Sequence, residues 1–173
     1  MAIAWAGNER ERRVKARGWG IYASHIGEVS NDGGTANVYM YRFILLLPFG
    51  FTLRLHHIMR SDADRHLHDH PFDFTSFLMS GGYVETSPDY DVPFTWSTKQ
   101  RIYPRFSLVR KRAEDLHSLR LERPVWTLVL AGPKRRDWGF QTEKGWILNH
   151  RYFEAFPREA SWRDVPARDA VTP

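Results

Sequence analysis

The stretch Arg65-His-Leu-His-Asp-His-Pro-Phe-Asp-Phe74 governs how this 173-residue chain is read. It puts His at positions 66, 68 and 70. On a strand, side chains two apart leave the same face, so His66 and His68 aim at one point. Neutral imidazoles suit iron, zinc, copper or nickel, and a nearby carboxylate completes a facial set with positions open for water or substrate. Asp73, five residues after His68, is the carboxylate within reach. The remaining ligand is expected from another strand, and His117 lies in the alternating run Asp115-Leu-His-Ser-Leu-Arg-Leu121. His70 takes the place of His66 if the register slides by two residues; otherwise it stands beside the ligands, toward substrate. His56 and His57 are adjacent and cannot both face inward, while His25 and His150 read as ordinary residues.

Outward from that stretch the chain reads as short β-favouring runs: 19–26, 36–47, 51–59, 73–79, 94–98, 106–110, 116–121, 125–131 and 146–156. Asn31-Asp-Gly-Gly34, Pro48-Phe-Gly50, Ser80-Gly-Gly82 and Ala131-Gly-Pro133 punctuate them. Many short strands at this spacing predict an all-β sandwich or barrel, and no amphipathic helix separates them as βαβ units require. The charged segment 1–17 reads as an N-terminal helix or arm, 18–156 as the β-barrel domain, and the Pro-containing 157–173 as an extended tail.

The totals narrow the chemistry. One compact domain fits this length. There is no Cys, so disulfides, zinc-thiolate sites and cysteine nucleophiles are excluded, and a transition metal must rest on His and carboxylates. The net charge is +5 and Arg dominates the 25 basic residues, which favours an anionic small-molecule partner through bidentate contacts. Lys134-Arg-Arg136, followed by Trp138 and Phe140, reads as a charged turn after a core strand in preference to a nucleic-acid patch. The longest apolar run, Phe43 to Phe51, contains Pro48 and Gly50 and is too short to span a bilayer, so a cytoplasmic protein is expected. Exposed edge strands make a strand-exchanged homodimer an expectation.

The motif resembles that of the cupin superfamily. Its first signature is His-x-His, three or four residues, Glu, six residues, then Gly; here His66, His68, four residues, Asp73, six residues and Ser80 stand in those places, followed by Gly81-Gly82. The second signature, Pro-x-Gly-x-x-His, aligns with Arg112-Ala-Glu-Asp-Leu-His117 only at its His. With Gly132-Pro-Lys-Arg-Arg-Asp-Trp-Gly-Phe140, the pattern is similar to small cupins of bacteriophage and prophage genomes over roughly residues 36 to 155. The resemblance implies a double-stranded β-helix, the cupin jelly roll. It also implies a divalent transition metal held by His66, His68, Asp73 and His117, with Fe(II) favoured and Zn, Mn or Ni as alternatives.

The expected activity is that of a non-haem iron dioxygenase acting on a small polar or anionic molecule. The alternative is a barrel that binds a nucleotide or sugar phosphate without turning it over, and a third reading makes the metal purely structural. Glu85 and Tyr83 are the candidate acid and base. Arg54 and Arg60, on the strand before the motif, together with His70 and Trp126, are the candidate substrate contacts. Trp96 reads as core.

Overall fold

A computed structural model describes residues 9–16, 19–27, 38–62, 66–91 and 97–156, the first two spans by their backbone alone. Trp96 and the tail 157–173 lie outside the described residues. The elements are β1 (Glu9–Ala16), β2 (Trp19–Gly27), β3 (Val38–Leu46), β4 (Thr52–Ile58), β5 (Leu67–His68), β6 (Phe74–Ser80) and β7 (Tyr83–Pro88). They continue with β8 (Thr98–Tyr103), β9 (Leu108–Lys111), β10 (Ser118–Leu121), β11 (Val125–Ala131), β12 (Gly139–Thr142), β13 (Gly145–Leu148) and the helix α1 (Asn149–Ala155).

Three antiparallel pairings are nested: β5 with β12, β6 with β11, and β7 with β10. A long two-stranded ribbon rolled on itself makes such a series, which is the pairing of a double-stranded β-helix. One sheet runs β1-β2-β3-β4-β11-β6-β9, and β10-β7-β8 and β13-β12-β5 form two smaller ones. At the β6–β7 hairpin, Gly81 has φ +70°, and a Cβ on Gly82 would lie 2.7 Å from the Tyr103 carbonyl oxygen, so both positions favour glycine.

Several elements differ from the sequence reading: β7, β12 and nearly all of β8 lie outside the expected runs, and two others change type. Residues Glu9–Ala16, expected as a helix or arm, form a strand, because the whole segment pairs antiparallel with β2, the next strand in the chain, which the charge pattern does not reveal. The run 146–156 is a short strand followed by α1, in which the consecutive residues Tyr152 and Phe153 are both buried, as strand alternation would not allow. No helix among the described residues is long and apolar enough to cross a membrane.

The long sheet has a sharply divided pair of faces. Along β11, Val125, Thr127, Val129 and Ala131 are buried, whereas Leu128 and Leu130 are exposed. Strand register carries the inward set sideways: Arg42, His56, Thr127 and Leu78 form one row, and Ile44, Arg54, Val129, Ser76 and Val109 the next. Leu78, Tyr83, Val109 and Val125 form one apolar cluster, and Phe140, Tyr152 and Phe153 another beneath α1. The polar inward residues therefore concentrate on β3 and β4, beside an apolar half built by β11, β6 and β9.

Candidate metal centre

His68 ends β5 and pairs with His117 as an isolated antiparallel bridge; each backbone N–H donates to the other's carbonyl at 2.9 Å. Residues so paired present their side chains on the same face, and the two ring centroids lie 4.9 Å apart. Two residues on, the His70 N–H donates to the Ala113 carbonyl at 3.0 Å, and its ring lies 5.2 Å from that of His68 and 4.9 Å from that of His117. One ligand nitrogen from each of the three lies within 4.8 Å of the others. The Nε2 atoms of His70 and His117 are 2.7 Å apart. Two imidazoles bound to one ion at about 2.1 Å would hold their nitrogens roughly 3 Å apart, so this pair sits near the spacing of a shared ion.

The surroundings select the ligating form of the rings. His117 Nδ1 is 3.0 Å from Glu85 Oε2, and the other Glu85 oxygen accepts from Lys111 Nζ at 2.6 Å. That carboxylate places the His117 proton on Nδ1 and leaves the Nε2 lone pair facing the cluster. Burial first, and then its neighbours His117 and His68, lower the pKa of His70 well below the ordinary histidine value; burial, His68 and Lys111 do the same for His117. Both rings are therefore neutral, as metal binding requires. The buried His68 Nδ1 has no hydrogen-bond partner among the described residues, and the Asp62 carboxylate stands 3.9 Å from it. Asp62 itself accepts from the Tyr39 hydroxyl and, at 2.7 Å, from the Leu119 N–H. Two ring nitrogens that meet only each other, His70 donating Nε2–H to the His117 Nε2 lone pair, and a third ring beside them suit a divalent transition metal that would take the place of that shared proton.

His66 and Asp73 do not join this cluster. The chain bends at residue 66, outside the two-residue strand β5, so alternation does not reach it. The His66 ring instead shares a 2.9 Å hydrogen bond between Nδ1 and the Tyr152 hydroxyl. Past Pro71 the alternation is lost again: Asp73 accepts from the Ala113 N–H at 2.8 Å and takes both oxygens to Arg135 Nη1. The Ala113 bond, and then Arg135, hold its carboxyl below the usual aspartate range.

The expected acid and base are also placed otherwise. Glu85 is buried and engaged with His117 and Lys111. Tyr83 packs in the apolar cluster with Leu78, and its phenol is pushed upward by burial and by Glu85. Trp126 lies on the opposite face of the sheet, stacked on His57 at 4.1 Å. Arg60 follows the end of β4 with a half-buried side chain, while Arg54 faces inward, its guanidinium 4.2 Å over the Phe72 ring.

Asp69, between the two cluster histidines, was not singled out by the sequence reading, although strict alternation points it away from them. It is buried and accepts from the Gly139 N–H at 2.7 Å, Arg136 Nη1 at 2.7 Å and Trp146 Nε1 at 2.8 Å. It thereby ties the histidine segment to the β12–β13 sheet. A Cβ on Gly139 would meet the Ile147 carbonyl oxygen at 2.1 Å, so this close approach needs glycine. Lys134, Arg135 and Arg136 are paired with Asp137, Asp73 and Asp69 respectively.

No protein-family profile and no curated protein matches the chain. Solved structures with a similar fold include Rru_A2000 from Rhodospirillum rubrum, a cupin-2 domain, 12% identical, with 85% of this chain and 88% of that one covered at a TM-score of 0.49. Another is the hydroxypropylphosphonic acid epoxidase from S. wedmorenis, 10% identical, covering 54% of this chain and 50% of that one at a TM-score of 0.43. A third is protein NMB1881 from Neisseria meningitidis, 14% identical, covering 52% and 80% at a TM-score of 0.39. The chain thus spans about half the length of the epoxidase. On its own nested pairing of β5–β12, β6–β11 and β7–β10, this protein has a cupin-type fold, the double-stranded β-helix its histidine motif led us to expect.

Proposed function

We propose that this protein is a metal-dependent enzyme whose mononuclear centre is His68, His70 and His117, with Fe(II) the favoured ion and a small polar or anionic molecule as substrate. The observation that carries the reading is the convergence of three ring nitrogens within 4.8 Å, one of them set in its ligating tautomer by Glu85. Three protein ligands leave further positions of a six-coordinate ion open for substrate and a small co-reactant. Fe(II) bound there would supply the electrons that activate O₂. Glu85, anchored by Lys111, holds the Nδ1 proton of His117 and fixes that ring's direction. Phe74, Trp138 and Phe140 stand around the histidines, with ring centroids 4.8 Å from His70 and 6.3 and 5.9 Å from His68, and limit the entry of bulk water.

A second reading rests on the positions of Glu85 and Tyr83. Both expected acid–base groups are committed to other contacts, which favours a barrel that captures a ligand without proton transfer from these side chains. Anaerobic reconstitution with Fe(II), Mn, Ni or Zn, followed by elemental analysis of wild type and a His68→Ala/His117→Ala variant, tests the first reading. About one equivalent of metal in the wild type, lost in the variant, is the expected result and justifies an O₂-uptake screen. A wild type that retains no metal leaves the ligand-binding barrel.

A further inference from the structure

Inside the barrel, beside the histidines, stands a cation whose polar edge has no partner among the described residues. The Arg54 Nε donates to Thr52 Oγ1 at 2.8 Å, and its guanidinium carbon lies over Phe72, 4.2 Å from the ring centroid. The Phe72 ring in turn stacks on His70, centroids 6.3 Å apart. These contacts fix the Arg54 plane and leave the Nη1 and Nη2 fork without a hydrogen bond or carboxylate among the described residues. Lys111 and Arg136, by contrast, are closed on Glu85 and Asp69.

One row along the same inner face, the buried Nε2 of His56 also has no partner among the described residues. His56 lies opposite Thr127 on β11 and Arg42 on β3. Burial, with Arg42 and Arg54 nearby, keeps its ring neutral, and burial lowers Arg54 itself to about 10. The Arg54 charge faces inward with its Nη fork unpartnered among the described residues, and a buried charge is tolerated only when paired. An anion entering the barrel supplies the pairing, and a planar guanidinium fork fits two oxygens of one oxyanion.

We propose that Arg54, with His56, forms a seat for an oxyanion group, carboxylate or phosphoryl, of a small molecule held across Phe72 from the histidine cluster. This deepens the metal-centre reading by naming the substrate class, and it rests on that reading for the role of the captured molecule. The anchor would fix one end of the substrate while the other reaches the open positions of the ion.

The test is calorimetric titration of inorganic phosphate and of acetate into the full chain as purified, with its metal content measured, and again after chelation. The comparison protein is Arg54→Met, which keeps an apolar stem over Phe72. We expect at least one anion to bind the chelated wild type, and Arg54→Met to weaken that binding tenfold or more, as loss of a charge-assisted pair implies. The tighter of the two anions identifies the class. Absence of binding by both anions, or equal binding by Arg54→Met, overturns the proposal. If Arg54→Met does not fold, ¹⁵N-histidine spectra of the wild type decide: the anion must move the His56 ring resonances and leave those of exposed His150 in place, and an unmoved His56 overturns it. A wild type that binds anions through Arg54 but retains no metal defeats the metal-centre reading and leaves the anion seat standing; metal retention with Arg54-independent anion binding does the reverse.

Discussion

Two polar hubs lie back to back on the segment from residue 68 to 70, and they differ in how completely they are satisfied. Asp69 turns one way, and both its oxygens are used by the Gly139 N–H, Arg136 and Trp146. His68 and His70 turn the other way, toward His117, and the facing ring nitrogens of His70 and His117 meet only each other among the described residues, while His68 Nδ1 has no hydrogen bond and the Asp62 carboxylate stands 3.9 Å from it. Buried polar groups in a fold are normally paired, so a closed hub reads as scaffold and an open one as a site. The same contrast separates Arg136, paired with Asp69, from Arg54, whose fork faces the barrel interior.

This contrast is broken or sharpened by substitution. Asp69→Ala leaves Arg136 and the Trp146 N–H facing an empty position, and removing one partner of a buried pair costs about 3–5 kcal/mol. Urea unfolding should show that loss, and a change under about 1 kcal/mol would mean that Asp69 does not tie the histidine segment to β12 and β13. Glu85→Gln keeps the shape of the open hub but weakens its support; metal affinity should fall about 10–100-fold, measured by competition with a chelator. An unchanged affinity would remove Glu85 from the centre.

Protonation sharpens the comparison from the other side. His56, His70 and His117 are held neutral in the fold, each lowered well below 6.5 chiefly by burial. Unfolded, they take up protons below that value, so stability is full above pH 6.5 and falls as pH drops through it. For the three together the loss between pH 7 and 6 is about 2 kcal/mol in metal-free protein. A flat profile would mean that these rings are not buried neutral. The smallest effect is expected at Asp73→Ala. Its carboxylate is half exposed and bridges Arg135 on the surface, so the unfolding midpoint should shift far less than for Asp69→Ala.

The period-two spacing of His66, His68 and His70, and the apolar setting of His117, were legible in the local chain alone, with His66 and His68 taken as the pair and His70 as the alternative for a two-residue slide. The choice between His66 and His70 was not, since it depends on where β5 ends, and its two residues are delimited by pairing to β12, more than seventy residues away. Asp73 matched a motif by spacing, yet Pro71 and Phe72 break the strand between it and the histidines. Tyr83 and Glu85 alternate correctly with each other, but only packing shows that one enters the apolar cluster and the other meets Lys111. The Arg42–His56 neighbourhood required the β3–β4 register, which the turn at Pro48–Gly50 sets by aligning Leu46 with Thr52. Helix α1 was missed because the β propensity of its aromatic residues favours a strand, while its helical form buries the consecutive pair Tyr152 and Phe153.

The central claim is that His70, not His66, completes the metal centre. It is tested most directly by elemental analysis of reconstituted wild type, His70→Ala and His66→Ala, with folding of each checked by circular dichroism. The account predicts about one equivalent of metal in wild type and in His66→Ala, and little or none in His70→Ala; metal lost from His66→Ala but retained by His70→Ala would contradict it.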